Sequence, residues 1–468
     1  MASKTSSLTL SFVNLALLAT VCGCGNSPTG TAKLSSDMQT EDDAPATSDT
    51  PATPAPVVPN PVTITRCTGQ LPAQPVITEL SVQPTISTAA MTSRVVPGAY
   101  ACPITTDAAG QLVTACASAV ASVVGVNEIP YGQNIELFVE KWAADSSLVF
   151  HTPVPGVAPR AVAAAASGDT YVIGALEPVV NDDEAFRLIR LSPSGSIVWS
   201  NKFYKLLDGT AAEATLTVAK DGTVWVTGST NFIAAQYDDA GNELQRIPFP
   251  QNITDHWGAG ETIVVLENGD LLVAGSFQTA MDFGGGQLGD SKNTMSSGFL
   301  ARYTSSGQYV MSQTFSENTG VGNVKLTPTS DGGFVMTAPL NGKSQAFGCA
   351  IPDTVMAPSF VAKLNPSFVA EWVTFAPMGI GPAVVDNQGN ITAAAKSPDN
   401  VYLMTLDSSG APLRFWSSAS GFAAGWQIAA NAAGTLFVSG SFGAGDVAFG
   451  PTQISTDRTS AFLLTIEP

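Results

Sequence analysis

Two cysteines one residue apart, Cys22 and Cys24, are the first residues with chemistry to offer. Such a pair can ligate a metal, cycle between thiol and disulfide, or carry a covalent modification. A metal site needs further soft ligands close by, and no other Cys or His follows before Cys67. Nucleophilic catalysis fares no better. The chain has only two histidines, His151 and His256, both flanking expected strand ends, and no G-x-S-x-G elbow. A zinc site of three His or Cys ligands is equally hard to assemble. Gly284-Gly285-Gly286 would cradle a phosphate if they led into a helix N-terminus; in "DFGGGQLGD" they sit between two strands.

Carboxylates are the better raw material. "NDDEAF" (181–186), "YDDAGNE" (237–243) and "VDNQGN" (385–390) are local acid clusters. Paired carboxylates can hydrolyse glycosides or hold calcium, but none of these shows the alternating D-x-D-x-D-G ligand spacing. Asp238, Asp239 and Asp386 fall in turns, where Asp caps the backbone. Asp182, Asp183 and Glu184 lie in a loop outside the repeat and are the least explained. The sequence nominates no catalytic, cofactor-binding or metal-binding residue.

The surroundings of the cysteine pair decide its meaning. Lys4 is the only charge before it, and Leu8–Val21 reads LTLSFVNLALLATV, an apolar run of signal-peptide length. Val21-Cys22-Gly23-Cys24 resembles the bacterial lipobox, which implies cleavage after Gly23 and lipidation of Cys24. Gly25 rather than Asp after that cysteine points to the outer membrane. Residues 24–62, rich in Pro, Thr, Ala and Asp, cannot bury enough apolar surface to fold and read as a disordered tether of roughly 35 Å.

Over the whole chain, charged residues make up only 12% and the formal net charge is −18. That balance argues against nucleic acid and against a basic membrane-docking face. Self-similarity organises what remains. "DGTVWVTGST…IAAQYDDAGNELQRIPF" from Asp221, "NGDLLVAGSF…GFLARYTSSGQYVMSQTF" from Asn268 and "SGDTYVIGAL…FRLIRLSPSGSIVWSNKF" from Ser167 repeat one plan. Turn glycines fall at Gly110, Gly168, Gly222, Gly269, Gly332, Gly389 and Gly434. Gly there supplies the positive φ that a tight turn requires. Small first strands such as "AVAAAAS" (161–167) suit a crowded centre. Trp199, Trp372 and Trp416, read as equivalent positions, suit an outermost strand that locks blades together.

The fold class expected is all-β: a seven-bladed β-propeller of four-stranded antiparallel blades, preceded by a lipoprotein signal (1–23) and the tether (24–62). Residues 63–94 form an N-terminal segment closing the propeller (95–468). The blades run roughly 95–155, 156–205, 206–250, 251–316, 317–376, 377–420 and 421–468. The last unit ends at "AFLLTIEP", one strand short, and "QPVITELSVQPTIS" (74–87) is expected to pair with 461–466.

Gly275-Ser276-Phe277 with Asp282-Phe283-Gly284, and Gly440-Ser441-Phe442 with Phe449-Gly450, resemble the seven-bladed propeller repeats (SBBP type) of exported bacterial lipoproteins. The resemblance covers 155–468 well and 95–155 less closely. Blade five departs from it, with Ala338 and Phe368 where Gly is usual. It implies architecture and surface location, not chemistry.

Four more cysteines would enter a compartment where disulfides persist. Cys102 and Cys116 flank the first turn almost symmetrically and are expected to bridge, leaving Cys67 and Cys349 as a second candidate pair. The expected function is that of a membrane-anchored envelope scaffold, monomeric, without cofactor. It would bind a protein or glycan through the loops between strands two and three, longest in blades four and five. The alternatives are a polysaccharide hydrolase or lyase using loop carboxylates, and a structural factor in envelope assembly.

Overall fold

The computed structural model describes residues 62–468, apart from 69–75, 81–90, 98–101, 120–134, 156, 177–183, 205–213, 229–231, 249–257, 291, 342–344, 351–358, 397–399, 419–422, 450–451 and 458. The lipobox, Cys24, the tether, His256, Asp182 and Asp183 lie outside these residues, as does the side chain of Glu184.

Among the described residues every regular element is a strand. Six blades are consecutive antiparallel four-stranded units, spanning 104–155, 157–204, 215–248, 258–316, 325–376 and 379–417. The seventh takes three strands from 423–466 and its outermost strand from the N-terminal segment. The first strands of successive blades touch all the way round, blade seven meeting blade one. The ring is closed, as the repeat implied.

The turn chemistry accounts for each blade. The seven turn glycines have φ between +76° and +89°. Each donates its N–H to the carbonyl three residues earlier, as Gly110 does to Asp107 at 2.9 Å. Because neighbouring strands alternate in direction, the tight one–two and three–four turns all lie on one face of the ring. The two–three loops and blade-to-blade connections lie on the other.

Three N-terminal strands precede blade one: β1 (Val62–Thr68), β2 (Val76–Leu80) and β3 (Met91–Pro97). Their pairing corrects the expected closure. It is β3, not 74–87, that pairs with Ser460–Ile466; β2 instead pairs with β1, and β1 with the outer strand of blade five through Thr65–Thr68 and Trp372–Phe375. Chain economy explains the choice. From β3 the chain reaches the first strand of blade one through residues 98–103, a connection of ordinary length, whereas 74–87 would need a far longer one. The guanidinium of Arg94 in β3 lies 3.3 Å from the centre of the Trp142 ring in blade one, across the seam.

Both disulfides form, Cys102–Cys116 within blade one and Cys67–Cys349 between β1 and blade five. Blade five also keeps its departures. Phe368 occupies the three–four turn at φ +62°, a left-handed conformation rare for a bulky residue. It is held there by burial against Phe334, with ring centres 5.7 Å apart.

Candidate functional site

Blade contacts follow one rule. In blades one to five a side chain of the fourth strand meets the three–four turn of the next blade. Trp199 Nε1 donates to the Asp239 carbonyl at 2.8 Å, and Asn201 donates to Gly241. Trp372 Nε1 donates to Ser408 at 3.1 Å, and Thr374 Oγ1 to Gly410 at 2.8 Å. Thr152 does the same to Gly195, Gln245 to Ser305 and Gln313 to Phe368. Glycine is required where the contact is closest: a Cβ on Gly410 would lie 2.5 Å from Trp372 Cδ2.

Trp416 is not part of this set. In the fourth strands of blades one to six a bulge leaves the second residue unpaired, so Trp199 and Trp372 face Arg190 and Lys363. The matching residue of blade six is Arg414, facing Thr405. Trp416 lies two residues on, buried, with its ring 6.2 Å from Phe449 of blade seven.

Charges on the tight-turn face are engaged in structure. Lys141 bonds Asp107 at 2.6 Å and Arg190 bonds Asp169 at 3.0 Å. Arg302 and Lys363 pair in the same way with Asp270 and Asp331. The hydrogen bond from Lys363, helped by Thr329, holds the Asp331 carboxyl down at about 2. These pairs escaped the sequence reading, although their signal is simple: Arg or Lys as the next-to-last residue of strand three.

The acids in repeat turns cap backbone. Asp238 Oδ1 accepts from Ala240 N and Asn242 N, and Asp386 Oδ1 from Gln388 N and Asn390 N. Asp239 is exposed, and its carbonyl takes the Trp199 bond. His151 sits on the outermost strand of blade one, bonded to Glu140 at 2.9 Å and stacked on Phe138. Buried Glu261, in the first strand of blade four, accepts from Ser276 Oγ and from Val324 N of the approach to blade five. Among the described residues no three His, Cys, Asp or Glu side chains are grouped so as to hold a metal ion.

The described parts of the long two–three loops of blades four and five fold back onto the blades. Each contains a small hairpin whose Phe packs between blades. Phe283 is buried, its ring 4.2 Å from Phe299, and Phe347 stacks on Phe315. Blade seven does the same with Phe449, 4.9 Å from Phe462. The Gly284-Gly285-Gly286 run lies over Tyr309, whose hydroxyl would be 2.0 Å from a Cβ on Gly285, and Asp282 caps it through Gly284 N and Gly286 N. This is a packed turn.

What remains uncommitted is the rim. The exposed large apolar side chains among the described residues are Leu148, Val149, Ile197, Val198, Leu244, Val310, Val369 and Leu413. All sit at the start of a fourth strand. Val149, Val198, Leu244, Val310 and Leu413 are the bulged second residue in five blades. In blade five that position is Glu371, with Val369 two residues before it. Since Gly195 touches Phe150, neighbouring members such as Val149 and Val198 are within roughly 15 Å at about 3.3 Å per residue. The row contains no aromatic residue.

No protein-family model matches the chain, and no curated protein sequence does. Among solved structures it is similar to the virginiamycin B lyase of Staphylococcus aureus, with TM-score 0.47 and 11% identity over 80% of this chain and 99% of that one. It is similar also to the Dos1 propeller, at 0.45 and 10% over 80% and 94%. YCF48 from Cyanidioschyzon merolae gives 0.43 and 11% over 80% and 99%.

Proposed function

We propose that this chain is an exported propeller, anchored to the cell envelope through lipidated Cys24, that serves as a binding scaffold for a protein partner docking along its outer rim. The observation that carries the scaffold reading is the row of exposed aliphatic residues at one repeat position, beside charges paired within single blades and loop hairpins packed between blades. These side chains are about half exposed, so covering one contributes roughly half of the ~1.5–3 kcal/mol of full burial, and three or four covered together contribute ~2–6 kcal/mol toward a complex. Among the described residues the exposed large apolar side chains are all aliphatic, which favours a protein over a glycan, whose sugar faces stack on aromatic platforms.

Export is supported by the apolar leader and by two disulfides, which persist in oxidising compartments. Fractionation tests the anchor. Wild-type chain is expected in the membrane pellet and Cys24→Ser in the soluble fraction. A Cys24→Ser chain that still pellets quantitatively overturns the lipid anchor. A glycan array probed with the mature chain is expected to stay blank.

A further inference from the structure

The N-terminal segment does two jobs in a fixed order. From the N-terminus the chain first meets β1, which carries Cys67 near its end, then β2, and only then β3, the strand that completes blade seven. Seven register pairs join β3 to Ser460–Ile466, covering the edge of a strand whose Ala461, Phe462, Leu464 and Ile466 are buried. Ring closure therefore depends on a strand in line with whatever pulls or frays the N-terminus.

A terminal strand peeled from its end loses hydrogen-bonded pairs one at a time, and chain termini are where local opening costs least. Left to hydrogen bonds alone, a pull on Val62 would strip β1, then β2, then β3. Cys67 interrupts that sequence. It is fully buried, and so is its partner Cys349, among Phe315, Phe360 and Phe375 of the core between blades four and five. Arg66, one residue earlier, donates to the Ser409 carbonyl at 3.1 Å and fastens β1 to the turn of blade six.

We infer that the Cys67–Cys349 bond is a strain stop: it diverts load arriving at the N-terminus into blade five and isolates the closing strand β3 from it. The stop acts on any N-terminal load; the lipid-anchored reading names its source in the cell, but the inference does not depend on it. A bond that merely stabilised the fold would raise global stability without changing which segment leaves first.

The test is force spectroscopy on the full chain, pulled at its N-terminus and held through the exposed Lys220 of blade three. The oxidised chain is expected to show no early release beyond the few residues ahead of Cys67. The Cys67→Ser/Cys349→Ser chain is expected to release 62–97 first, roughly 12 nm at about 3.4 Å per residue. Should that variant fail to fold, the oxidised chain is compared with itself after reduction in the same geometry, with the same expectation. An early 12 nm step in the oxidised chain overturns the inference, as does its absence once the bond is gone.

Discussion

The indole N–H of Trp199 donates to the carbonyl of Asp239 at 2.8 Å, across the boundary between blades two and three. Trp372 and Ser408 repeat the relationship between blades five and six. A fourth-strand side chain seated on the next blade's turn is the joint that ties blades one to six in series, and where Trp199 or Trp372 is seated the turn must carry a glycine to admit it.

That requirement separates two kinds of turn glycine. Gly222 has φ +87° and nothing within 4 Å of where a Cβ would stand, whereas a Cβ on Gly241 would lie 2.5 Å from Asn201 Nδ2 and 3.0 Å from Trp199 Cδ2. Gly222→Ala is expected to lose about 1–2 kcal/mol from the backbone alone. Gly241→Ala is expected to lose a further ~1–3 kcal/mol through overpacking. Urea denaturation of the two variants measures the difference, and equal losses would remove the joint from the account.

Phe368 sets two effects against each other. Its left-handed backbone costs about 1–2 kcal/mol, which glycine would relieve. Its buried ring packs on Phe334, and deleting such a ring costs about 3–5 kcal/mol. Packing wins, so Phe368→Gly is expected to destabilise by roughly 2 kcal/mol in the same measurement.

The Asp331–Lys363 pair makes stability acid-sensitive. The Asp331 carboxyl is held at about 2 in the folded chain, below the ~3.9 of an unfolded aspartate. Its contribution is complete above about pH 4 and lost as pH falls toward 2. Lys363→Met removes the largest part of that contribution, leaving the bonds from Thr329 and Gly333 N, so the stability gap between wild type and variant is expected to shrink across this window. A gap that stays constant from pH 5 to 2 would contradict the pairing.

Much of the fold was legible because turn chemistry is local. A glycine between two apolar strands needs only its neighbours to take a positive φ, and all seven did. Long-range pairing was less legible. Residues 74–87 and 91–97 both look like strands, and only connection length favours the second as closing strand. The misplacement of Trp416 was avoidable, since it stands six residues after Gly410 while Trp199 stands four after Gly195. The rim was hidden for another reason. Val198 and Trp199 are adjacent and both apolar, and only the bulge shows that one faces solvent while the other joins the next blade.

The central claim is that the rim binds a protein, and one comparison tests it most directly. The mature chain and a Val149→Ser/Val198→Ser/Leu244→Ser variant are exposed side by side to solubilised envelope extract. Both are expected to melt within about 1 kcal/mol of each other, because exposed side chains contribute little to folding. Wild type is expected to retain a stoichiometric protein partner, and the variant to lose it at least tenfold. A partner held equally by both, or no partner for either, would contradict the rim as the binding surface.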